Sequence, residues 1–191
     1  MTSATEAPSH NHQAHQDAAH KRGILSRSSF WIDRINGWLG RVGAALLLLS
    51  TALVFVVVVL RYAFNSGSVA LQEAGVWLHA SAFLLAAAWT LKHNGHVRVD
   101  VLYQRFTPQQ RAWVELLGAV LFLLPICGFI IYSSWNYVGA SWAVLESSAE
   151  TGGLPGRFIL KSMIPLAAAS LALQALSQIF KALLQLRAPA T

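Results

Sequence analysis

Four long stretches of this 191-residue chain contain no Asp, Glu, Lys or Arg, and they restrict the fold more than any other feature. They are residues 42–60, 74–91, 116–145 and 162–180. A helix of about 20 apolar residues is about 30 Å long, which matches the hydrocarbon core of a bilayer. Charged residues make up 12% of the chain, against roughly 25% in soluble domains. The sequence therefore predicts an all-α integral membrane protein with four transmembrane helices, and it excludes a soluble enzyme.

The chain divides into a polar amino-terminal segment and a membrane domain. Residues 1–29 are rich in Ser, Ala and His and have few large apolar side chains, so they cannot bury enough surface to fold alone. We predict a disordered cytoplasmic tail over residues 1–29 and a four-helix membrane domain over residues 30–191. The spans are predicted at about residues 42–61, 73–91, 113–138 and 161–181.

Residues 30–41, which precede the first span, have the periodicity of a helix. Trp31, Ile35 and Trp38 recur at spacings of four and three, while Asp33 falls on another face. This pattern suits an amphipathic helix that lies in the membrane interface. It suits the beginning of the first membrane helix equally well.

The third uncharged stretch is too long for one direct membrane crossing. Its 30 residues would form a helix of about 45 Å. The helix is predicted to start at Thr107, because Pro108 and Gln110 complete a capping box with proline at the first helical position. Such a helix must tilt, kink at Pro125 or protrude from the membrane, and we favour protrusion with a mild kink.

Lys and Arg residues predict the orientation. The amino-terminal region, the loop after the second span and the carboxyl terminus together hold eleven of the 14 basic residues. The opposite side holds three, Arg61, Arg157 and Lys161. The positive-inside rule therefore places both termini in the cytoplasm, N-in and C-in, and four spans satisfy this arrangement.

The spans offer no residues suited to catalysis or to transport by this chain alone. Their middles lack Asp, Glu, Lys and Arg, so neither an acid–base pair nor a midplane carboxylate is present. We expect no enzyme activity and no nucleic-acid partner, but a subunit that supports a larger membrane protein. Two alternatives stay open: a small self-assembling exporter or channel, and a membrane anchor that binds haem through His79, His93 and His96.

Polar residues near both ends of the spans are candidate contact sites. Arg61 closes the first helix and Glu73 opens the second, and each complements the partial charge of its helix end. Capping and contact with a partner are both open for this pair. In the loop after the second span, His96, Arg98 and Asp100 alternate with valines and would share one side of an extended segment.

A second set of candidate residues follows the third span. Glu146 and Glu150 are four residues apart, so their carboxylates would face one way if the helix continued past the membrane. Arg157 comes after a turn that is rich in Gly and Pro. The alternatives are a local ion-pair cluster and a docking surface for an extracytoplasmic protein.

Several short motifs resemble one transporter family when they are taken in order. Glu73 is followed by Trp77, then by AAWTLK at residues 87–92 and GHVRVDVL at residues 95–102. Further motifs are SW at 141–142, ESS at 146–148, GGLP at 152–155, LKS at 160–162 and IP at 164–165. Together they resemble the small membrane subunit of tripartite ATP-independent periplasmic (TRAP) transporters. The later motifs are similar to the branch labelled mannitol/chloroaromatic.

The resemblance implies a non-catalytic scaffold subunit that pairs with a large elevator-type permease in the bacterial inner membrane. It implies uptake of small organic acids that is driven by an ion gradient, with a periplasmic solute-binding protein delivering the substrate. The substrate and the coupling ion, expected to be sodium, would bind the large subunit, so no cofactor is expected in this chain. Besides membrane lipid, the large permease is expected to contact Arg61, Glu73, His96, Arg98 and Asp100. The binding protein is expected to dock at Glu146, Glu150 and Arg157.

Overall fold

The computed structural model describes residues 9–93, 95 and 105–186, and every regular element among them is helical. The elements are α1 (Ser9–Ala63), α2 (Val69–Lys92), α3 (Pro108–Gly118), a π-helical segment (Ala119–Leu123), α4 (Leu124–Ala143) and α5 (Arg157–Leu186). Among these described residues, four helical segments are long and apolar enough to cross a membrane: Ser26–Ala63, Val69–Lys92, Pro108–Ala143 and Arg157–Leu186. The predicted all-α class with four membrane-crossing helices is confirmed.

Helix α1 is longer than the sequence predicts. It begins at Ser9 and continues without a break to Ala63, so residues 9–29 are helical where a disordered tail was expected. This segment contains no proline, and its Ala, Gln, Lys and Arg residues extend a helix readily once a neighbouring turn has formed. The same continuity makes residues 30–41 the beginning of the first membrane helix, not a separate interfacial helix.

Helices α1 and α2 pack closely because glycines of α1 face bulky groups of α2. A Cβ atom on Gly40 would lie 2.2 Å from Cδ1 of Trp89, and one on Gly43 would lie 3.1 Å from a backbone carbonyl oxygen of α2. Further along the pair, Ser50 Oγ donates a 2.8 Å hydrogen bond to the carbonyl oxygen of Gly75. Small residues let membrane helices approach until van der Waals contacts hold them.

The third membrane helix begins with the predicted capping box. The Thr107 N–H donates to Gln110 Oε1 at 2.9 Å, and the Gln110 N–H donates to Thr107 Oγ1 at 3.3 Å. The π-helical segment Ala119–Leu123 lies just before Pro125. Proline has no N–H to donate, and wider i→i+5 bonding lets the helix pass this residue without ending. The perturbation predicted at Pro125 therefore takes the form of a π turn.

Helix α5 contacts all the other described helices and is the centre of the bundle. Its buried face consists mostly of small side chains: Ala167, Ala168, Ser170, Gln174, Ala175, Ser177, Ile179 and Ala182. Small side chains allow several helices to approach one helix at once. The buried polar members of this face form a cluster with α1, which is described below.

The contact between Gly40 and Trp89 leads to a stability prediction. Gly40→Ala should destabilise the isolated chain in mild detergent by roughly 1–3 kcal/mol, because the Trp89 side chain cannot move away without disturbing α2. The matched control is Gly128→Ala in α4, where a Cβ atom would meet nothing within 4 Å. Thermal unfolding of the two variants checks this, and equal melting temperatures would contradict the close packing.

Candidate functional site

The described charged side chains gather at the two ends of the bundle. Lys92 and Glu73 lie on α2 nineteen residues apart, which is about 28 Å along a helix. We call the end that contains Lys92 the Asp33 end, because Lys92 Nζ donates a 2.9 Å hydrogen bond to the carbonyl oxygen of Asp33. The opposite end, where α2 starts, is the Glu73 end.

At the Asp33 end, one carboxylate ties α1 to α5. Asp33 Oδ1 accepts hydrogen bonds from Gln174 Nε2 at 3.0 Å and from Ser177 Oγ at 2.9 Å. Asp33 Oδ2 accepts a charge-assisted hydrogen bond from Lys181 Nζ at 2.5 Å. Because Asp33 accepts three hydrogen bonds from α5, these bonds fix both the rotation of α1 relative to α5 and the distance between the two helices.

A buried amide extends this cluster. The Asn36 side chain is fully buried, and its Nδ2 donates to Gln174 Oε1 at 2.7 Å and to the carbonyl oxygen of Ser170 at 3.4 Å. Sequence reasoning missed both Asp33 and Asn36 as contact residues. A signal was present on α5, where the polar residues recur at helical spacings of four, three and four: Ser170, Gln174, Ser177 and Lys181.

At the Glu73 end, the Glu73 side chain holds the loop between α4 and α5. Its Oε2 atom accepts a 2.7 Å hydrogen bond from the N–H of Leu154, and its Oε1 atom accepts a short hydrogen bond from Ser148 Oγ. A Cβ atom on Gly153 would lie 2.7 Å from Glu73 Oε2, so the loop can approach this closely only with glycine there. Glu73, which we predicted to contact a partner, therefore makes internal contacts in this chain.

Helix α4 ends before the two acidic residues that were expected to continue it. The Leu145 N–H donates to the carbonyl oxygen of Trp142 and the Glu146 N–H to that of Ser141, which is the Schellman pattern of a helix end. Leu145 has a φ of 45° and occupies the position that glycine usually takes. Glu146 and Glu150 thus lie in the loop, and the expectation of two carboxylates on one helical face is wrong.

Glu146 is the centre of a local ion-pair cluster. It accepts hydrogen bonds from Lys161 Nζ and, at 2.6 Å, from Ser141 Oγ, while Arg157 Nε lies 4.0 Å from its Oε1. The hydrogen bond from Lys161, and secondarily that from Ser141, holds the pKa of the Glu146 carboxyl below its ordinary value of 4.5. Lys161 Nζ also lies 4.1 Å from the ring centroid of Tyr137. For Glu146 and Arg157 the geometry supports the ion-pair alternative.

The other candidate residues stay apart from these clusters. Arg61 and Glu150 are exposed, and their side chains make no hydrogen bond or ion pair with any residue that the structure describes. His96, Arg98 and Asp100 lie outside the described residues. The structure therefore brings Glu146 and Arg157 together and leaves Arg61 and Glu150 open to solvent, lipid or a partner.

His79 and His93 lie too far apart along α2 to ligate one haem together. His79 and His93 lie fourteen residues apart on α2, about 21 Å along one helix, so they cannot ligate opposite faces of one haem. His93 Nδ1 is 2.9 Å from the carbonyl oxygen of Trp89. Among the side chains that the structure describes, no three of the types His, Cys, Asp and Glu gather as metal ligands do.

Comparisons with known proteins agree with the architecture. Residues 50–185 match the family model described as tripartite ATP-independent periplasmic transporters, DctQ component. The chain is 33% identical over 111 residues to a protein of Haemophilus influenzae named as a TRAP transporter small permease, covering 58% of this chain and 66% of that protein. It is 27% identical over 120 residues to the C4-dicarboxylate TRAP transporter small permease protein DctQ of Vibrio cholerae, covering 61% of this chain and 51% of the relative. No solved structure matches.

Four apolar helices with their charged contacts at the two ends, together with these matches, define a membrane permease component. The chain belongs to the DctQ family, the small permease component of TRAP transporters. The matched region spans between half and two thirds of the length of the two relatives.

Removing the Asp33 carboxylate tests the cluster at the Asp33 end. Asp33→Ala should destabilise the isolated chain by roughly 2–4 kcal/mol, because the buried side chains of Gln174 and Ser177 both lose an acceptor. Arg34→Ala is the matched control, since the neighbouring Arg34 is exposed. Unfolding in detergent measures both free energies, and a similar loss in the two variants would show that Asp33 does not hold α5.

The ion-pair cluster predicts a pH dependence. A carboxyl whose pKa is lowered by folding stabilises the protein above its ordinary pKa, and this contribution is lost as the pH falls through the lowered value. Wild type should therefore lose more thermal stability than Glu146→Gln when the pH is lowered from about 6 to about 3. Glu150→Gln, which removes no described contact, should follow wild type. If the thermal stabilities of wild type and Glu146→Gln fell equally with pH, the result would contradict a stabilising ion-pair cluster at Glu146.

Proposed function

We propose that this chain is a non-catalytic scaffold subunit of a TRAP-type secondary active transporter. Its membership of the DctQ family and the absence of Asp, Glu, Lys and Arg from the middles of its spans support this proposal. Substrate and ion sites of secondary transporters lie near the bilayer midplane, where ionisable residues or interrupted helices form them. A chain whose spans have no Asp, Glu, Lys or Arg in their middles is suited to holding a transporter together, so the transport pathway belongs to another subunit.

The proposed partners follow from the assignment of the transport pathway to another subunit. The chain pairs with a large permease that contains the substrate site and binds the coupling ion, sodium. A periplasmic solute-binding protein delivers the substrate. Many large apolar side chains of the described helices are exposed, for example Leu48, Phe55, Phe122 and Phe129. Lipid and the large permease together cover such a surface in a membrane.

The substrate is a small organic acid. The Vibrio cholerae relative is named as a C4-dicarboxylate transporter component, which supports this substrate class. The motifs between residues 141 and 165 support the mannitol/chloroaromatic branch. The large subunit, which carries the substrate site in this proposal, decides between individual acids.

The subunit resides in the bacterial inner membrane with both termini in the cytoplasm. Eleven of 14 Lys and Arg residues lie in the segments assigned to the cytoplasm, which supports this orientation. The Asp33 end then faces the cytoplasm and the Glu73 end faces the periplasm. The loop between α4 and α5 is accordingly the part of the described chain that a periplasmic binding protein meets.

The contacts inside the loop between α4 and α5 reduce the number of charged residues that are available to a binding protein. Glu146 is engaged with Lys161, whereas Glu150 is exposed and has no described ionic partner. Arg157 is partly exposed, with 46% of its side chain accessible. We propose that the binding protein interacts chiefly with the negative charge of Glu150. The proposed contact residues for the large permease are Arg61, His96, Arg98 and Asp100.

Reconstitution tests the proposed function. Vesicles that contain this chain with the large permease should take up substrate when a sodium gradient and the binding protein are present. Vesicles that contain this chain alone should show no uptake. Transport by this chain alone would contradict the scaffold function and support a self-assembling exporter or channel.

The docking assignment gives a sharper prediction. Glu150→Lys should raise the binding-protein concentration needed for half-maximal uptake by roughly two- to fivefold, because it reverses an exposed charge. Glu150→Asp keeps the charge and should behave as wild type, and Glu150→Gln should lie between them. The amount of complex with the large permease is measured in parallel and should be unchanged. Identical uptake curves for all four proteins would show that Glu150 is not part of the docking surface.

A further inference from the structure

A groove of about 320 Å³ runs along the outside of the bundle between α1 and α2. Its floor consists of small residues, which are Gly40, Gly43, Ala44, Ala82 and Ala86. Larger side chains border it: Leu47, His79, Phe83 and Trp89. Gly40 and Gly43 are packed against Trp89 and Ala82 of α2, so the small residues that stay open to the groove are chiefly Ala44 and Ala86. Small residues of this kind permit another membrane helix to approach closely.

His79 gives this groove a polar feature at membrane depth. It lies ten residues from the start of α2, about 15 Å along the helix and far from both helix ends. Its side chain is exposed, and it makes no hydrogen bond within the part of the chain that the structure describes. An imidazole that faces hydrocarbon without a hydrogen-bond partner is costly, and ionisable residues inside membranes usually face a polar partner.

The small residues of the groove floor and the His79 side chain together indicate which kind of molecule occupies the groove. A lipid acyl chain would fill the apolar floor, but it has no group that can accept or donate a hydrogen bond to the His79 ring. A neighbouring membrane helix can do both, because its backbone approaches the small residues while one polar side chain reaches the imidazole. The occupant that satisfies both features is therefore a protein helix.

We propose that a membrane helix of the large permease lies in this groove and donates or accepts a hydrogen bond at His79. This inference rests on the proposed function, because it names the surface on which the large permease packs. It adds to the end-of-span contacts a site in the middle of the membrane. Phe83, with 72% of its surface accessible, then packs against the same helix.

Two pairs of variants test the site by copurification of the large permease in mild detergent. His79→Leu should lower the yield of complex by roughly three- to tenfold, whereas His79→Gln, which can still form a hydrogen bond, should retain most of it. Ala44→Phe fills the groove and should also lower the yield. Its matched control is Ala45→Phe, because the neighbouring Ala45 is exposed and does not line the groove.

A photo-crosslinking residue in place of Phe83 tests the same contact without altering the floor or His79. A covalent product with the large permease is expected. Products with lipid alone, or wild-type yields of complex for both His79→Leu and Ala44→Phe, would overturn the groove as the contact site. Failure of the wild-type chain to copurify with the large permease would instead overturn the proposed function.

Discussion

The hydrocarbon interior of a membrane supplies almost no hydrophobic attraction between helices, and the described structure follows from this constraint. Helices in such a solvent are held by close van der Waals packing and by a few polar contacts. Close packing is present where the side chain of Trp89 lies against Gly40, and also along the small-residue face of α5. Polar contacts are present at both ends of the bundle, where Asp33 and Glu73 each accept several hydrogen bonds from other segments.

The same constraint explains which features could be predicted from the sequence. Uncharged stretches predict membrane helices because the hydrocarbon core excludes charged groups from most positions. The start of α3 could be read from Thr107 and Gln110 because a capping box is a contact between residues three apart. Features of this kind depend on local sequence alone. The family resemblance likewise depended on short motifs in a fixed order, and the match over residues 50–185 confirms it.

Other features depend on how separate segments come together. The periodicity of α1 separates Asp33 from the tryptophans, but it does not reveal that α5 lies opposite Asp33. Glu73 was predicted to cap α2 or to contact a partner protein, because its partners within the chain, Ser148 and Leu154, are more than 70 residues away. The end of α4 was missed for a different reason: Leu145 takes a left-handed conformation that usually calls for glycine, so no stop was visible in the sequence.

The contacts of Glu73 have a consequence for how the loop between α4 and α5 meets another protein. Loops of this length are commonly mobile, and a partner that binds a mobile loop must restrict its conformations, which weakens binding. Here the loop is bonded through Ser148 and the N–H of Leu154 to the first turns of α2. A protein that approaches this end therefore meets a surface that is already ordered, and little conformational entropy of the loop is lost when the two associate.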